Sequence, residues 1–125
     1  MRIEIVFTHE RIAVPPLHWE SREAGACVEF HGIVREMEEG RALAGLAYEA
    51  YESMARKYVE RIFTRLASVH SVETVVFIHR LGWVPVGETS LYVGVVGPHR
   101  GAVFAVCAAG VTIVKQDVPI WKRAG

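Results

Sequence analysis

The fold of this chain is decided most clearly by residues 90–115, whose sequence is SLYVGVVGPHRGAVFAVCAAGVTIVK. Residues 90–96 are mainly apolar, with β-branched and aromatic side chains, and this composition predicts a strand. Gly97 and Pro98 interrupt that pattern. The residues from Ala102 to Lys115 are small or apolar on every side, which predicts a helix buried against a sheet or against a partner chain.

The segments on either side of this stretch complete the expected fold. Strands are predicted at residues 3–7, 24–31, 43–51, 75–79 and 90–96. Apolar residues recur at helical spacing between Tyr58 and Leu66, opposite a charged face, and Ser53 is expected to cap that helix. Pro15-Pro16 predicts an extended connection, and residues 36–41 a charged loop. This order predicts one α+β domain over residues 1–125, with a mostly antiparallel or mixed sheet and packed helices.

Composition narrows the class of protein. The chain has 125 residues, of which 51% are hydrophobic, and this is enough for one well-packed domain. Its formal net charge is zero, which argues against a broad binding surface for nucleic acid or an acidic membrane. No window reaches the roughly 18 apolar residues of a membrane span, and the first residues do not resemble a signal peptide. A cytoplasmic protein is expected.

The cysteines and histidines do not form a metal motif. Cys27 and Cys107 each lie in an apolar segment, so two buried free thiols in a reducing compartment are expected. The histidines have no compact metal-ligand spacing, and no metal site is predicted. His31 and His79 lie in or beside strands, where a hydrogen-bonded structural histidine is the more common outcome.

Positive charge collects near the C-terminal end. After Glu88 the only acid is Asp117, whereas the bases are Arg100, Lys115, Lys122 and Arg123. This excess predicts a focal anion site, and either lysine could be partly desolvated and reactive. Two solvated lysines flanking a turn are the alternative. His99 and Arg100 are expected at a helix start, where unpaired backbone N–H groups also favour an anion.

An ordered set of motifs resembles the molybdopterin synthase catalytic (large) subunit family. The motifs are Phe30-His31-Gly32-Ile33-Val34-Arg35, Tyr48-Glu49-Ala50-Tyr51 with Met54, Ile78-His79-Arg80-Leu81-Gly82, Val86-Gly87-Glu88, His99-Arg100, and Lys115 through Pro119 to Trp121-Lys122-Arg123. The resemblance covers about residue 24 to the C-terminus. The ordered set is more specific than any one of its motifs.

The resemblance implies an α/β hammerhead-like fold and a sulfurtransferase. Such an enzyme converts cyclic pyranopterin monophosphate to molybdopterin. The sulfur comes from a thiocarboxylate at the C-terminal Gly-Gly of a small ubiquitin-like subunit. The resemblance also implies a homodimer of large subunits within a heterotetramer, without a metal or a dissociable cofactor. The apolar helix at residues 102–114 and the open sheet edges independently favour a homodimer.

The resemblance assigns roles to particular residues. Lys115 is predicted to be the catalytic lysine, acting as an acid or base, with Lys122 as its catalytic partner and a substrate ligand. The other substrate-binding residues are predicted to be Arg35, His99, Arg100, Phe30 and Trp121, with His99 and Arg100 reaching the site across the dimer. The alternatives are a surface ion pair for Arg35 and core packing for Phe30 and Trp121.

Two departures from the family pattern leave alternatives open. Many family members continue well past the Trp-Lys-Arg segment, whereas this sequence ends at Ala124-Gly125, so the family's longer tail is expected to be lacking. Val111 stands where the family often has methionine. A non-catalytic relative that acts as a dimeric anion- or pterin-binding module is therefore the alternative function. A general phosphate-binding module is disfavoured because no Gly-rich phosphate loop is present.

Overall fold

The computed structural model describes residues 1–13 and 17–124 as nine strands and two helices. In chain order the elements are β1 (Arg2–Thr8), β2 (Ala26–Ile33), β3 (Met37–Glu38), β4 (Arg41–Ala42), β5 (Gly45–Ala50), α1 (Glu52–Val69), β6 (Thr74–Arg80), β7 (Gly82–Pro85), β8 (Thr89–Gly97), α2 (Arg100–Asp117) and β9 (Ile120–Ala124).

The main sheet has four strands in the order β1-β6-β8-β2. Strands β1 and β6 pair in parallel, whereas β6 with β8 and β8 with β2 pair antiparallel. The predicted α+β fold with a mixed sheet is therefore confirmed. A second sheet has the order β7-β5-β9, and β3 and β4 form a separate two-stranded hairpin.

Both helices pack on one face of the main sheet. Helix α1 buries Ala55, Val59 and Phe63, which recur every four residues and therefore share one side of the helix. Helix α2 buries an equivalent row that includes Val103, Gly110 and Val114. A Cβ added to Gly110 would lie 2.3 Å from Phe63 Cε1, so this glycine allows the two helices to approach closely.

The second sheet lies beside the C-terminal end of α2. Its own small core consists of Val34, Leu46 and Val84, all buried. Strand β9 pairs antiparallel with β5, which places Lys122 opposite Tyr48. The segment after α2 therefore returns along this sheet and does not form a simple turn.

Several local predictions require correction. Ser53 does not cap α1, because the helix begins at Glu52 with Tyr51 in the capping position and no side-chain cap. Cys107 is buried as predicted, but Cys27 is exposed, because alternate residues of β2 face away from the helices. The charged loop predicted at residues 36–41 is largely the β3–β4 hairpin, which extends from Met37 to Ala42. The predicted Pro15-Pro16 connection lies outside the described residues.

The remaining boundaries differ by a few residues. Strand β2 begins at Ala26 and includes Gly32, and α2 runs from Arg100 to Asp117, so the pair His99-Arg100 does stand at a helix start. Strands β7 and β9 were not anticipated. Within the described part of the chain, neither helix is long and apolar enough to cross a membrane.

Candidate active site

A cavity of about 590 Å³ opens where the C-terminal end of α2 meets both sheets. Its apolar floor consists of buried or half-buried side chains of the sheets and the helix: Phe30, Val34, Leu46, Leu91, Val114 and Ile120. Its polar wall is formed by His31, Arg35, Glu38, Tyr48, His79, Ser90, Lys115 and Lys122. The cavity thus combines an apolar floor with several cations.

Three cations surround the carboxylate of Glu38. Lys122 Nζ donates a hydrogen bond of 2.5 Å to Glu38 Oε1, and Arg35 Nη2 lies 3.9 Å from Glu38 Oε2. The hydrogen bond from Lys122 holds the pKa of the Glu38 carboxyl below its usual value, and the charges of Arg35 and Lys115 act in the same direction. Glu38 therefore neutralises part of a positive cluster that an anionic ligand could also occupy.

The two lysines reach the cavity from different elements. Lys115 lies in the last turn of α2, next to the buried Val114, and its Nζ is 5.8 Å from the centroid of the Phe30 ring. Lys122 lies on β9, where Ile120 and Lys122 line the cavity on alternate positions. Their spacing of seven residues therefore spans the end of a helix, a bend and the first residues of a strand.

His79 lies deep in the wall, with only 5% of its surface exposed. Its Nδ1 is 2.7 Å from the backbone carbonyl oxygen of Arg80. The Tyr48 ring packs edge-on against the imidazole, with the two ring centroids 5.1 Å apart. Burial lowers the pKa of His79 to about 4, and the charge of Lys115 acts in the same direction. The imidazole is therefore neutral at pH 7.

Three predicted site residues do not line the cavity of the single chain. Trp121 and Arg123 occupy the alternate positions of β9, Trp121 is 57% exposed, and Arg123 pairs with Glu49 at 2.7 Å. His99 and Arg100 are exposed at the N-terminal end of α2. An α-helix rises about 1.5 Å per residue, so Arg100 lies roughly 22 Å from Lys115.

Sequence reasoning assigned no site role to Glu38, Tyr48 and His79, although all three line the cavity. Tyr48 and His79 belong to the motifs that carry the family resemblance, and that membership was the available signal. Glu38 lay in a segment interpreted only as a charged loop. No group of three or more acidic, cysteine or histidine side chains suited to a metal ion occurs among residues 1–13 and 17–124.

Comparison with known proteins adds the family. The profile described as MoaE protein matches residues 7–117. The chain belongs to the MoaE family. A rice MoaE relative, the molybdopterin synthase catalytic subunit of Oryza sativa subsp. indica, is 39% identical over 106 residues. That alignment covers 85% of this chain and 55% of the rice protein.

Two bacterial proteins show the same similarity. The molybdopterin synthase catalytic subunit of Bacillus subtilis is 36% identical over 104 residues, which cover 83% of this chain and 66% of that protein. The crystal structure of molybdopterin synthase from Staphylococcus aureus superposes with a TM-score of 0.79 at 28% identity, covering 92% of this chain and 89% of that one. The fold expected for the MoaE family is therefore confirmed, although the chain spans only about half the length of its rice relative.

Proposed function

We propose that this chain is the catalytic subunit of a molybdopterin synthase. In this role it transfers sulfur to cyclic pyranopterin monophosphate from the C-terminal thiocarboxylate of a small ubiquitin-like subunit. The observation that carries the proposal is the convergence of Lys115, Lys122 and Arg35 on one cavity of about 590 Å³ in a chain of the MoaE family. A cavity of this size suits a small organic ligand.

The proposed substrate combines a ring system with a phosphate, and the cavity offers a surface for each. The Phe30 ring and the apolar floor suit the pterin. Arg35 and Lys122 suit the phosphate, because a guanidinium and an ammonium both form charge-assisted hydrogen bonds with phosphate oxygens. In this arrangement the phosphate displaces Glu38 as the partner of Lys122.

Lys115 is the proposed catalytic acid or base. Its amine is exposed to the cavity beside the Phe30 ring, where it can exchange protons with a ligand held against that ring. Lys122 is the proposed partner that positions the substrate and the thiocarboxylate. An adjoining cavity of about 450 Å³ shares Glu38, Leu46 and Lys122 with the first, and it is the proposed path for the small-subunit tail.

His99 and Arg100 fit this proposal only through a second copy of the chain. The length of α2 keeps Arg100 away from Lys115 within one chain, so we propose a homodimer in which these residues complete the partner's site. With two small subunits the assembly is a heterotetramer. Trp121 remains a proposed substrate contact. Because its side chain lies outside this cavity, that contact requires part of the substrate, or of another chain, to extend beyond the cavity. The proposed location is the cytoplasm.

Reconstitution tests the proposal directly. The purified chain is mixed under anaerobic conditions with thiocarboxylated small subunit and cyclic pyranopterin monophosphate, and molybdopterin is measured. The matched control is the same small subunit with an ordinary C-terminal carboxylate, which supplies no sulfur. Product that depends on the thiocarboxylate supports the proposal, whereas tight pterin binding without product would favour a non-catalytic dimeric binding module.

A further inference from the structure

Among the described residues, two histidines line the cavity, His31 and His79. The His31 ring packs edge-on against Tyr92, which belongs to the core on the other face of the main sheet, so His79 is the imidazole considered for the cavity interior. Arg35, Lys115 and Lys122 can only donate hydrogen bonds, and the carboxylate of Glu38 is already paired with two of them. The hydroxyl of Ser90 donates to the carbonyl oxygen of Gly32. His79 differs from all of these because one of its ring nitrogens is directed into the protein and the other has no protein partner.

The backbone decides which nitrogen of His79 carries the proton. A carbonyl oxygen only accepts, so the 2.7 Å contact with the carbonyl of Arg80 requires a proton on Nδ1. Arg80 is itself held by an ion pair of 2.6 Å between its Nη1 and Glu88 Oε1. The neutral ring therefore has an unprotonated Nε2 whose lone pair can accept a hydrogen bond.

Nε2 is accessible from the cavity. It makes no hydrogen bond with any residue that the structure describes. The described side-chain atoms that are both fully enclosed and without a partner are Glu73 Oε2 and Arg80 Nε, so Nε2 retains some exposed surface. Because His79 lines the cavity and is otherwise buried, we take this surface to face the cavity. Tyr48 and Phe77 pack against the ring and restrict its rotation.

We propose that His79 Nε2 accepts a hydrogen bond from an N–H group of the pterin ring and so sets the orientation of the ring in the cavity. The role rests on the proposed function, because it assumes a ligand with a ring N–H at the floor and an anion near Arg35 and Lys122. Inorganic phosphate fits the cationic part of the cavity but has no ring to present to His79. His79 would thus distinguish a pterin phosphate from other small anions.

Two substitutions separate this role from a structural one. In His79→Asn, the amide nitrogen can replace Nδ1 as the donor to Arg80, but nothing replaces Nε2. In His79→Gln, the amide oxygen can reach the position of Nε2, but the donor to Arg80 is lost. A purely structural histidine predicts that His79→Asn is the milder change in every measurement, whereas the proposal predicts the opposite order for pterin binding.

The experiment measures the affinity of the full chain for neopterin phosphate and for inorganic phosphate by calorimetry, together with the thermal midpoint. We expect His79→Asn to weaken neopterin phosphate binding about tenfold, as for one lost buried hydrogen bond, and His79→Gln to weaken it less than threefold. Binding of inorganic phosphate should change less than twofold in both variants. In reconstituted synthase, His79→Asn should raise KM more than it lowers kcat.

Four outcomes would overturn the inference. They are unchanged neopterin phosphate affinity in His79→Asn, an equal loss for both ligands, a larger loss in His79→Gln than in His79→Asn, and failure of the wild type to bind neopterin phosphate. The last result would also remove the pterin substrate from the proposed function. If the wild type binds the pterin in the expected order of variants but makes no molybdopterin, only the catalytic proposal fails. If His79→Asn does not fold, His79→Phe, which keeps a ring and removes the acceptor, takes its place.

Discussion

The two ends of α2 both carry positive charge, but in different settings. At the C-terminal end, Lys115 lies over Phe30 and shares a cavity with Arg35 and Lys122. At the N-terminal end, Arg100 is exposed and makes no ion pair with the described residues. One end is therefore part of a concave site within the chain, whereas the other presents its charge outward.

The difference shows that a cation cluster in the sequence is not a site until other elements enclose it. Phe30 comes from β2, Glu38 from β3, His79 from β6 and Lys122 from β9, and these four residues line the cavity at the C-terminal end of the helix. Arg100 can contribute to the same chemistry only if a second chain brings it there.

Replacing Lys115 should have the largest effect on activity. Lys115→Ala should lower turnover at least about 100-fold, the usual size of a general acid–base contribution, while small-subunit binding and the thermal midpoint stay unchanged. Lys122→Ala is the matched comparison and should act mainly by raising KM. Single-turnover sulfur transfer is the measurement, and near wild-type transfer by Lys115→Ala would remove the catalytic assignment.

The cavity should make the protein sensitive to acid, because His79 is buried in its wall. His79 has an ordinary pKa of 6.5 and a folded value of about 4, so the unfolded chain binds its proton first as the pH falls. The contribution of His79 to the free energy of unfolding is therefore fully present above about pH 6.5. By about pH 4.5 protonation of this group alone should lower the free energy of unfolding by roughly 2–3 kcal/mol. Urea unfolding at about pH 7 and about pH 4.5 should show this loss in the wild type and not in His79→Gln. Equal losses in the two proteins would contradict the prediction.

The outward end of α2 can be tested for action across a dimer. Arg100→Ala should weaken pterin phosphate binding by about 1.5–3 kcal/mol, as for a lost charge-assisted hydrogen bond. If Arg100 completes the partner's site, a mixed dimer of Arg100→Ala and Lys115→Ala chains has one wild-type site. Random mixing should then restore about a quarter of wild-type activity at low substrate. No recovery would place Arg100 outside the partner's site.

Two glycines of α2 repeat the contrast between enclosed and open positions. Gly110→Ala should destabilise the chain by about 1–3 kcal/mol, because the new Cβ overlaps the fully buried ring of Phe63. Gly101→Ala should be neutral or should stabilise by up to about 1 kcal/mol, since no atom beyond its own stretch of helix lies within 4 Å of its Cβ position. Equal thermal midpoints for the two variants would show that α1 and α2 pack less tightly than this contact requires.

The smallest effect concerns the ion pair inside the cavity. Glu38→Gln removes the partner of Lys122 and should tighten inorganic phosphate binding about two- to fivefold, because exposed ion pairs are worth at most about 1 kcal/mol. Glu49→Gln breaks the pair with Arg123 outside the cavity and should leave phosphate affinity unchanged. Weaker phosphate binding by Glu38→Gln would mean that Glu38 holds Lys122 in its binding position.

Local pattern was sufficient for much of the fold. The apolar run at residues 90–96 and the buried helix after it were predicted because their periodicity and composition depend only on neighbouring residues. Strand β9 was missed because Ile120-Trp121-Lys122-Arg123-Ala124 is a charged edge strand, which pairs only along β5. The cap of α1 was misplaced because the preceding strand runs nearly to the first helical residue, with Tyr51 between them.

The sequence by itself determined the α+β class, the order of the principal strands and helices, the family and the two lysines seven residues apart. Only the tertiary structure decided which charged residues share a cavity. It placed Arg35, Lys115 and Lys122 around Glu38, put His79 in the wall with its Nδ1 fixed by a carbonyl, and left Arg100 about 22 Å away. The physical reason is that periodicity reports the face of a single element, whereas a cavity is formed where several elements from distant parts of the chain meet.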